Sequence, residues 1–270
     1  MLDQPRDEPR DGPRDDDPED PAALGPWFHN LHLPDGRQTA PDHRFGDFPR
    51  HKWEALAPHL PADLSGRRAL DIGCNAGFYS FELARRGATV VGLDADPRYL
   101  RQARWAARRM GLSGVEFRQG QIYDLLRWEE RFDLVLFMGV FYHLRYPLLA
   151  LDIVARARPE ILVFQTLTAD TGEGGGEPQP PFDFEERERL VARDFPFMAF
   201  IEGWFAHDPT NWWAPNHAGV CALLRAAGFR VEGRPGHEIY VCRSDPGATV
   251  WPRDPAEFEA ATGRPFGRAP

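Results

Sequence analysis

The chain has 270 residues, of which 42% are hydrophobic, and a formal net charge of −9. This length and hydrophobic content suffice for one α/β domain with appendages. No apolar stretch approaches the roughly 20 residues that a membrane-spanning helix needs. The three cysteines are too widely spaced for a disulfide framework or a zinc knuckle. We therefore expect a cytoplasmic, reduced protein with no membrane partner.

The amino-terminal segment, residues 1–22, is acidic and rich in proline. Residues 1–21 hold nine acidic and three basic side chains, a net charge of −6. Such a segment buries too little apolar surface to offset the entropy lost on ordering, so it is predicted to be disordered. It also lacks the apolar run of a signal peptide. The rest of the chain is nearly neutral, which does not favour nucleic acid as a partner.

After an extension at residues 23–65, apolar strands alternate regularly with helices. Five strands are predicted in the segments RRALDIG, TVVGLDA, VEFRQGQ, FDLVLFMGV and EILVFQTL. Helices are predicted in GFYSFELARRG, PRYLRQARWAARRMG and YPLLALDIVARAR. Continuous apolar runs that alternate with helices predict a parallel sheet covered on both faces.

The alternation breaks at an insertion, residues 169–215, and resumes with a helix in NHAGVCALLRAAGF. The following segments FRVEGRPG and EIYVCRS lie too close together for a helical crossover, so they are predicted to pair as an antiparallel hairpin. The sequence thus predicts a Rossmann-like α/β domain at residues 66–245. Its sheet is mainly parallel and seven-stranded, with an antiparallel terminal hairpin. Residues 246–270 form a proline-rich tail.

A glycine turn, Asp71-Ile72-Gly73-Cys74-Asn75-Ala76-Gly77, follows the first strand. Gly73 and Gly77 allow the backbone to turn tightly and to approach a ligand closely. Asp94, at the end of the second strand, can accept hydrogen bonds from both hydroxyls of a ribose. Because ligands bind at the carboxyl ends of the strands in open α/β sheets, the turn predicts a nucleoside-containing cofactor. At this point NAD and S-adenosylmethionine both fit.

Two details favour S-adenosylmethionine over NAD. The dinucleotide fingerprint is G-x-G-x-x-G, which places pyrophosphate on a helix amino terminus. Here Asn75 replaces the middle glycine, and the turn opens on Asp71, an acid that suits the ammonium of a methionine moiety and repels pyrophosphate. The antiparallel terminal hairpin points the same way. S-adenosylmethionine is therefore the expected cofactor.

Strand position predicts further cofactor contacts. Gln121 and Ile122 follow the third strand, where adenine is usually held. Met138 and Gly139 end the fourth strand and are expected to bracket the adenosine and methionine portions. The alternative for Ile122 and Met138 is that both are ordinary core residues.

Several motifs resemble the class I methyltransferases, and among them the bacterial tRNA wobble-uridine carboxymethyltransferases and their methyltransferase relatives. The matching pieces are Lys52-Trp53, the segment LSGR at 64–67 and the segment MGVFYH at 138–143. The resemblance extends from about residue 26 to residue 167. It implies the class I fold and S-adenosylmethionine as cofactor, and it adds Lys52 and Trp53 to the expected cofactor site.

The carboxymethyltransferases of this family use a carboxylated cofactor and need basic residues for the extra carboxylate. The region expected to supply one lysine reads PWFHN, and the carboxy-terminal part has no clear match to the family's arginine. The main expectation is therefore O-methylation of a sugar-like, nucleoside-like or aromatic small molecule or secondary metabolite. One alternative is a tRNA wobble-uridine (carboxy)methyltransferase. The other is a non-catalytic cofactor-binding module, and N-methylation also remains open.

The acceptor side is expected just after the fourth strand and in the aromatic part of the insertion. His143, with an ordinary pKa of about 6.5, is the expected base, and Tyr142 orients the acceptor or holds the methyl donor. The alternative is a histidine that caps the following helix. The aromatic block is either a stacking surface for a ring-shaped acceptor or a satellite core.

Nine further side chains are predicted to bind the acceptor, and no metal is expected, because no spacing of His, Asp or Glu matches a ligand set. The sequence indicates no oligomeric state. The predicted acceptor-binding residues are His29, His32, Glu202, His207, Asp208, Asn211, Trp212, Trp213 and Asn216.

Overall fold

A computed structural model describes residues 17–169, 176–245, 247 and 254–267. The strands are β1 Arg68–Ile72, β2 Thr89–Asp94, β3 Val115–Gln119, β4 Leu134–Met138, β5 Ile161–Gln165, β6 Met198–Phe200, β7 Trp213–Pro215, β8 Phe229–Gly233 and β9 Ile239–Ser244. The α-helices are α1 Phe48–Leu56, α2 Phe78–Arg85, α3 Pro97–Met110, α4 Pro147–Ala157, α5 His217–Ala226 and α6 Pro255–Thr262. Among the described residues, no helix is both long and apolar enough to cross a bilayer.

Seven strands form the main sheet, in the order β3-β2-β1-β4-β5-β9-β8. β1 pairs with β2, β2 with β3, and β4 with β5, all in parallel. β9 is antiparallel to both β5 and β8. This confirms the predicted mainly parallel sheet with an antiparallel terminal hairpin. The chain forms two compact units that divide after Gln121.

In the first unit, helix α3 shows why the sequence folds as predicted. Asp96 caps its amino terminus by accepting a hydrogen bond from the Arg98 N–H, Pro97 occupies the first turn, and Gly111 ends the helix in the left-handed region. The apolar face of α3 is buried, and its Trp105 ring packs against Trp27 of the extension at a centroid distance of 5.8 Å. The extension is thus attached to the domain through this contact.

Part of the predicted acidic tail packs against the same helix. Residues 1–16 lie outside the described residues, but residues 17–22 make specific contacts, although the sequence predicts disorder up to residue 22. Asp17 forms an ion pair with Arg108, and the Pro18 carbonyl accepts a hydrogen bond from Trp105 Nε1 at 2.9 Å. Composition could not anticipate this, because the acidic residues find their partners on a helix about 90 residues away.

In the second unit, strands β4 and β5 are buried along their whole length. Phe137, Phe141 and Phe164 pack edge to face at centroid distances of 5.2–6.3 Å. The insertion contains the antiparallel pair β6–β7. The predicted tail contains α6, whose Phe258 is buried and packs against Phe266.

Candidate active site

The glycine turn lies in the first unit, between β1 and α2. The backbone N–H groups of Gly73 and Cys74 both donate to the Leu93 carbonyl, at 2.7 and 3.1 Å, so the turn is held against the end of β2. Gly73 and Gly77 have φ angles of 72° and 89°, in the left-handed region that glycine adopts without strain. Asn75, at 51°, also lies there.

Gly77 is required by internal packing as well. A Cβ at this position would lie 2.8 Å from the Phe81 ring and 3.0 Å from the Phe117 ring. The sequence attributes this glycine to the close approach of a ligand. The structure adds a second reason, because the start of α2 packs directly on these two rings.

Asp94, the last residue of β2, is hydrogen-bonded to the glycine turn that follows β1. Its Oδ2 accepts a hydrogen bond from the Asn75 N–H at 2.8 Å, and its Oδ1 accepts one from the Asp96 N–H at 2.9 Å. A carboxylate offers about four lone-pair positions, so two bonds leave room for a ribose hydroxyl. Burial raises the pKa of Asp94, while the backbone hydrogen bonds oppose that rise.

Asp71 is a buried carboxyl group at the end of β1, with 2% of its surface exposed. Its Oδ2 accepts a hydrogen bond from Ser80 Oγ at 2.7 Å. Burial raises its pKa to about 7; the bond from Ser80 opposes the rise and the charge of Asp94 adds to it. Among the described residues, the groups that shift its pKa include no cation. A carboxylate buried without a cationic partner is costly, so Asp71 is a candidate functional group rather than a stabilising one.

Asp71→Asn is expected to flatten the dependence of stability on pH. The folded-state pKa lies above the unfolded value of 3.8, so the folded protein holds a proton that the unfolded chain releases. The free energy of unfolding of the wild type should therefore fall as the pH rises from about 4 to about 7, by a few kcal/mol at about 1.4 kcal/mol per pKa unit. Urea unfolding at several pH values measures this fall in the free energy of unfolding. Asp42→Asn, at an exposed carboxylate, is the control, and equal slopes in wild type and Asp71→Asn would contradict the expectation.

Aromatic rings from the extension and from α2 surround His29. Phe28, Phe48, Phe78 and Tyr79 all lie within 6.3 Å of the His29 ring centroid. Burial lowers the pKa of His29 to about 3, and the charge of Lys52 adds to the effect, so this imidazole is neutral at physiological pH. An acceptor-binding role for His29 stays a prediction.

His32 and Trp53 line one cavity of about 300 Å³ in the first unit. His32 Nε2 lies 2.6 Å from Asp47 Oδ2. Trp53 is 92% buried, and the Arg86 guanidinium lies 4.9 Å from its ring. Trp53 therefore stabilises the packing of α1, and its predicted contact with a cofactor stays a prediction. Lys52 Nζ lies 5.8 Å from the Phe48 ring.

Of the remaining cofactor-side residues, Gln121 is exposed at the end of the first unit. In the second unit, Ile122 and Met138 are buried, as their alternative interpretation as core residues expects. Gly139 has a φ of 71° directly after β4. A Cβ there would lie 3.6 Å from Gln165 Oε1 and 3.9 Å from Tyr142 Oη, so the glycine lies beside the predicted acceptor side.

Tyr142 and His143 lie in a 3₁₀ turn, Phe141–His143, directly after β4. His143 Nδ1 lies 2.9 Å from Thr210 Oγ1 and 3.8 Å from Asp208 Oδ2. Helix α4 has no side-chain cap, so capping is not the role of His143. Burial lowers the pKa of His143, and the charge of Asp208 opposes that shift. Burial raises the pKa of Tyr142 to about 12, and this phenol is a poor base.

The aromatic insertion is anchored to this turn by two hydrogen bonds. The Trp212 N–H donates to the Tyr142 carbonyl at 2.8 Å, and Trp213 Nε1 donates to the Leu144 carbonyl at 3.0 Å. Both tryptophans are partly buried, whereas Trp204 is 64% exposed and stacks on His207 at 5.0 Å. The insertion therefore has a packed base and an exposed aromatic surface, and Glu202 is exposed beside it.

Two predicted acceptor-binding residues have structural partners instead. Asn216 is 1% exposed and caps α5: its Oδ1 accepts from the Gly219 N–H at 2.7 Å. Asn211 is 6% exposed, and its Nδ2 donates to the Phe205 carbonyl at 2.8 Å. These contacts give no support to acceptor binding by either residue. An asparagine directly before a helix is a capping signal that the sequence already contained.

Sequence reasoning missed Thr210 and Glu238. Glu238 directly precedes β9 and accepts hydrogen bonds from the Thr168 N–H at 3.0 Å and from Gln165 Nε2 at 3.2 Å. Its charge also contributes to the raised pKa of Tyr142. Because β9 is antiparallel to β5, its first residue, Ile239, lies beside Gln165 at the carboxyl end of β5, and this topology could have identified the preceding Glu238.

Comparison with known proteins shows which protein family this chain resembles. Residues 63–168 match the family model described as "Methyltransferase domain". The tRNA U34 carboxymethyltransferase of Cellvibrio japonicus is 31% identical over 215 residues, which cover 78% of this chain and 56% of that protein. The ubiquinone biosynthesis O-methyltransferase of Cereibacter sphaeroides is 45% identical over 101 residues, which cover 35% of this chain and 40% of that protein. The chain thus spans about half the length of the curated relatives it matches.

A solved structure agrees on the fold. The N-terminal domain of EvdMO1, crystallised in the presence of SAH and D-fucose, aligns with a TM-score of 0.55 and 22% identity, covering 83% of this chain and 94% of that one. At this identity the likeness shows the fold alone. The family match, the strand order and the glycine turn agree: the chain carries a class I S-adenosylmethionine-dependent methyltransferase domain.

Proposed function

We propose that the chain transfers a methyl group from S-adenosylmethionine to a hydroxyl group of a ring-shaped acceptor. The observation that carries this proposal is the His143 imidazole, which lies in the 3₁₀ turn after β4 and, among the described contacts, is hydrogen-bonded through one nitrogen only. The acceptor oxygen attacks the methyl carbon, the carbon–sulfur bond breaks with its electron pair left on sulfur, and His143 takes the hydroxyl proton. Alignment of donor and acceptor supplies most of the rate.

The glycine turn is the proposed cofactor site. Asp94 would accept the ribose hydroxyls beside the two backbone N–H groups that it already holds. Asp71 would pair with the ammonium of the methionine moiety, and its raised pKa means that binding at neutral pH releases a proton. Affinity for the cofactor should therefore rise with pH through about 7.

For the acceptor, the curated relatives favour a tRNA wobble uridine, which the sequence analysis gave as an alternative, over the small molecule that it gave as the main expectation. The similarity to tRNA U34 carboxymethyltransferases supports a wobble uridine of tRNA. The second unit also exposes Phe200, Trp204 and Phe205, and the Arg145 guanidinium lies 5.0 Å from the Trp212 ring. Exposed aromatic rings and arginine planes are surfaces on which unpaired bases stack.

A small-molecule hydroxyl is the second candidate. One observation favours it: outside residues 1–21 the net charge of the chain is slightly negative, because its acidic side chains outnumber its basic ones. RNA binding ordinarily draws on many basic contacts to phosphates, and a carboxylated cofactor needs a cation for its extra carboxylate. A sugar-like or aromatic acceptor needs neither.

A mass-spectrometric transfer assay separates these candidates. The protein is incubated with S-adenosylmethionine or its carboxylated form, and with either tRNA whose wobble uridine carries a hydroxyl group on the base or a panel of hydroxylated sugars and aromatics. A mass gain on tRNA, with affinity in filter binding that falls as salt rises, supports the first candidate. A gain on small molecules alone supports the second. No gain on any acceptor by a protein that binds the cofactor would leave the non-catalytic alternative and overturn the proposal.

Trp204→Ala is expected to affect acceptor binding, and Trp213→Ala is expected to affect thermal stability. The Trp204 indole is mostly exposed, so its loss should raise the acceptor KM several-fold and leave the melting temperature unchanged. Trp213 is half-buried and bonded to Leu144, so its loss should lower the melting temperature by several degrees. Thermal melts and steady-state kinetics of the two variants measure this. A Trp204→Ala protein with normal KM would remove the exposed rings from the acceptor site.

A further inference from the structure

A threonine hydroxyl connects His143 to a carboxylate in the second unit. Thr210 Oγ1 lies 2.9 Å from His143 Nδ1 and 2.6 Å from Asp208 Oδ1. The Thr210 N–H also donates to Asp208 Oδ1, at 2.7 Å. The carboxylate, the hydroxyl and the imidazole therefore form one chain of hydrogen bonds.

The direction of these bonds follows from counting hydrogens. Burial raises the pKa of Asp208, but the hydrogen bonds from Thr210 and the charge of His143 outweigh it and hold the pKa below its usual range. Asp208 is thus an acceptor only, and the single hydroxyl hydrogen of Thr210 must point towards it. The hydroxyl oxygen can then only accept from His143, so Nδ1 carries the hydrogen of the neutral ring and Nε2 carries the lone pair.

We propose that Asp208 and Thr210 are positioning residues that hold His143 in the Nδ1–H tautomer, with Nε2 as the atom that takes the acceptor's proton. The catalytic consequence rests on the proposed hydroxyl transfer, whereas the tautomer does not. Asp208 was predicted to bind the acceptor; this contact assigns it to the protein's own histidine. Thr210 gains a role that its exposed position alone does not suggest.

The surrounding backbone holds both ends of this chain of bonds in place. Phe205 and Asp208 pair across a tight turn in which Ala206 and His207 have φ angles of 55° and 64°. Two consecutive non-glycine residues in the left-handed region are strained, and such strain concentrates at functional sites. The bond from the Trp212 N–H to the Tyr142 carbonyl joins this segment to the turn that carries His143.

The proton balance is complete within these groups. When the acceptor oxygen attacks the methyl carbon, its proton moves to Nε2 and the ring becomes an imidazolium. The second ring hydrogen stays on Nδ1, bonded to Thr210, and the Asp208 carboxylate 3.8 Å away stabilises the new charge. Tyr142, whose ring lies 4.2 Å from the His143 ring, stays neutral because burial raises its pKa to about 12.

The kinetic test compares Thr210→Val with Thr210→Ser. Valine matches threonine in shape but lacks the hydroxyl, so kcat should fall at least about tenfold, with cofactor affinity and melting temperature kept. Serine keeps the hydroxyl and should restore kcat to within about threefold of the wild type. Equal kcat values in the valine variant and the wild type would overturn the proposal, as would a serine variant as slow as the valine one.

Asp208→Asn provides the pH readout. The charge of Asp208 favours the imidazolium, so its removal should lower the pKa of His143 and move the acid limb of the kcat profile to lower pH. In the described part of the chain, Tyr142 and Asp208 are the titratable groups that face His143, and Tyr142 does not titrate in this range. An unmoved limb would contradict a role for Asp208 through His143.

The ¹⁵N chemical shifts of the His143 ring test the tautomer directly, without any acceptor. The signals are assigned by their loss in His143→Gln. The wild type should show protonated Nδ1 and unprotonated Nε2 above the histidine's pKa, and Thr210→Val should shift the balance towards Nε2–H. A wild type with Nε2–H would overturn the proposal. An Nδ1–H ring in a protein that transfers nothing to any hydroxyl would instead refute the proposed function and leave the positioning contact standing.

Discussion

His143→Ala is expected to lower kcat by about 10²- to 10⁴-fold, with cofactor binding unchanged. The imidazole is the only predicted base in this turn that can take a proton near neutral pH, because burial raises the pKa of its neighbour Tyr142 to about 12. Steady-state kinetics with the acceptor that passes the transfer assay measures kcat, and calorimetry with S-adenosylmethionine measures binding.

The pH profile gives a second readout of the same residue. Burial lowers the pKa of His143 from 6.5, so the wild-type rate should rise with pH through a value below 6.5 and then level off. The alanine variant should lose this rise. His59→Ala, which removes an exposed histidine of the first unit, is the control and should behave as wild type. More than half the activity with an unchanged profile in His143→Ala would show that alignment alone drives the reaction.

Asp94→Ala should weaken the binding of S-adenosylmethionine at least about tenfold. Hydrogen bonds to a charged group contribute about 1.5–3 kcal/mol each, and two ribose hydroxyls would lose their acceptor. The structure makes the expected effect larger than the sequence alone indicates. The same carboxylate holds the Asn75 and Asp96 N–H groups, so its removal also loosens the glycine turn.

Calorimetry measures the affinity, and Asp94→Asn separates the two contributions. The amide keeps one acceptor oxygen, so this variant should bind with intermediate affinity and a turn closer to that of the wild type. Thermal melts check that both variants fold. Unchanged affinity in Asp94→Ala would remove Asp94 from the cofactor site. The same titration with the carboxylated cofactor tests the choice of donor, and a clear preference for it would support the carboxymethyltransferase alternative.

The sequence by itself determined the elements of this fold and the turn between the first two strands. Strand and helix periods are local properties, so five parallel strands, their helices and the terminal hairpin follow from the spacing of apolar residues. The left-handed residues Gly73 and Gly77 lie where the pattern predicts a turn. The cofactor role predicted for Asp94 also comes from local pattern, because Asp94 ends β2, the strand that pairs with β1, and the glycine turn follows β1.

Only the tertiary structure decided which side chains meet. The bond between Asp71 and Ser80 depends on how α2 packs against β1, and the need for glycine at 77 depends on rings from α2 and β3. His143 and Thr210 are 67 residues apart, and α4, β5 and most of the insertion lie between them. Spacing carries no information over such a distance, because the contact forms only when the backbone bonds of the insertion join it to the turn after β4.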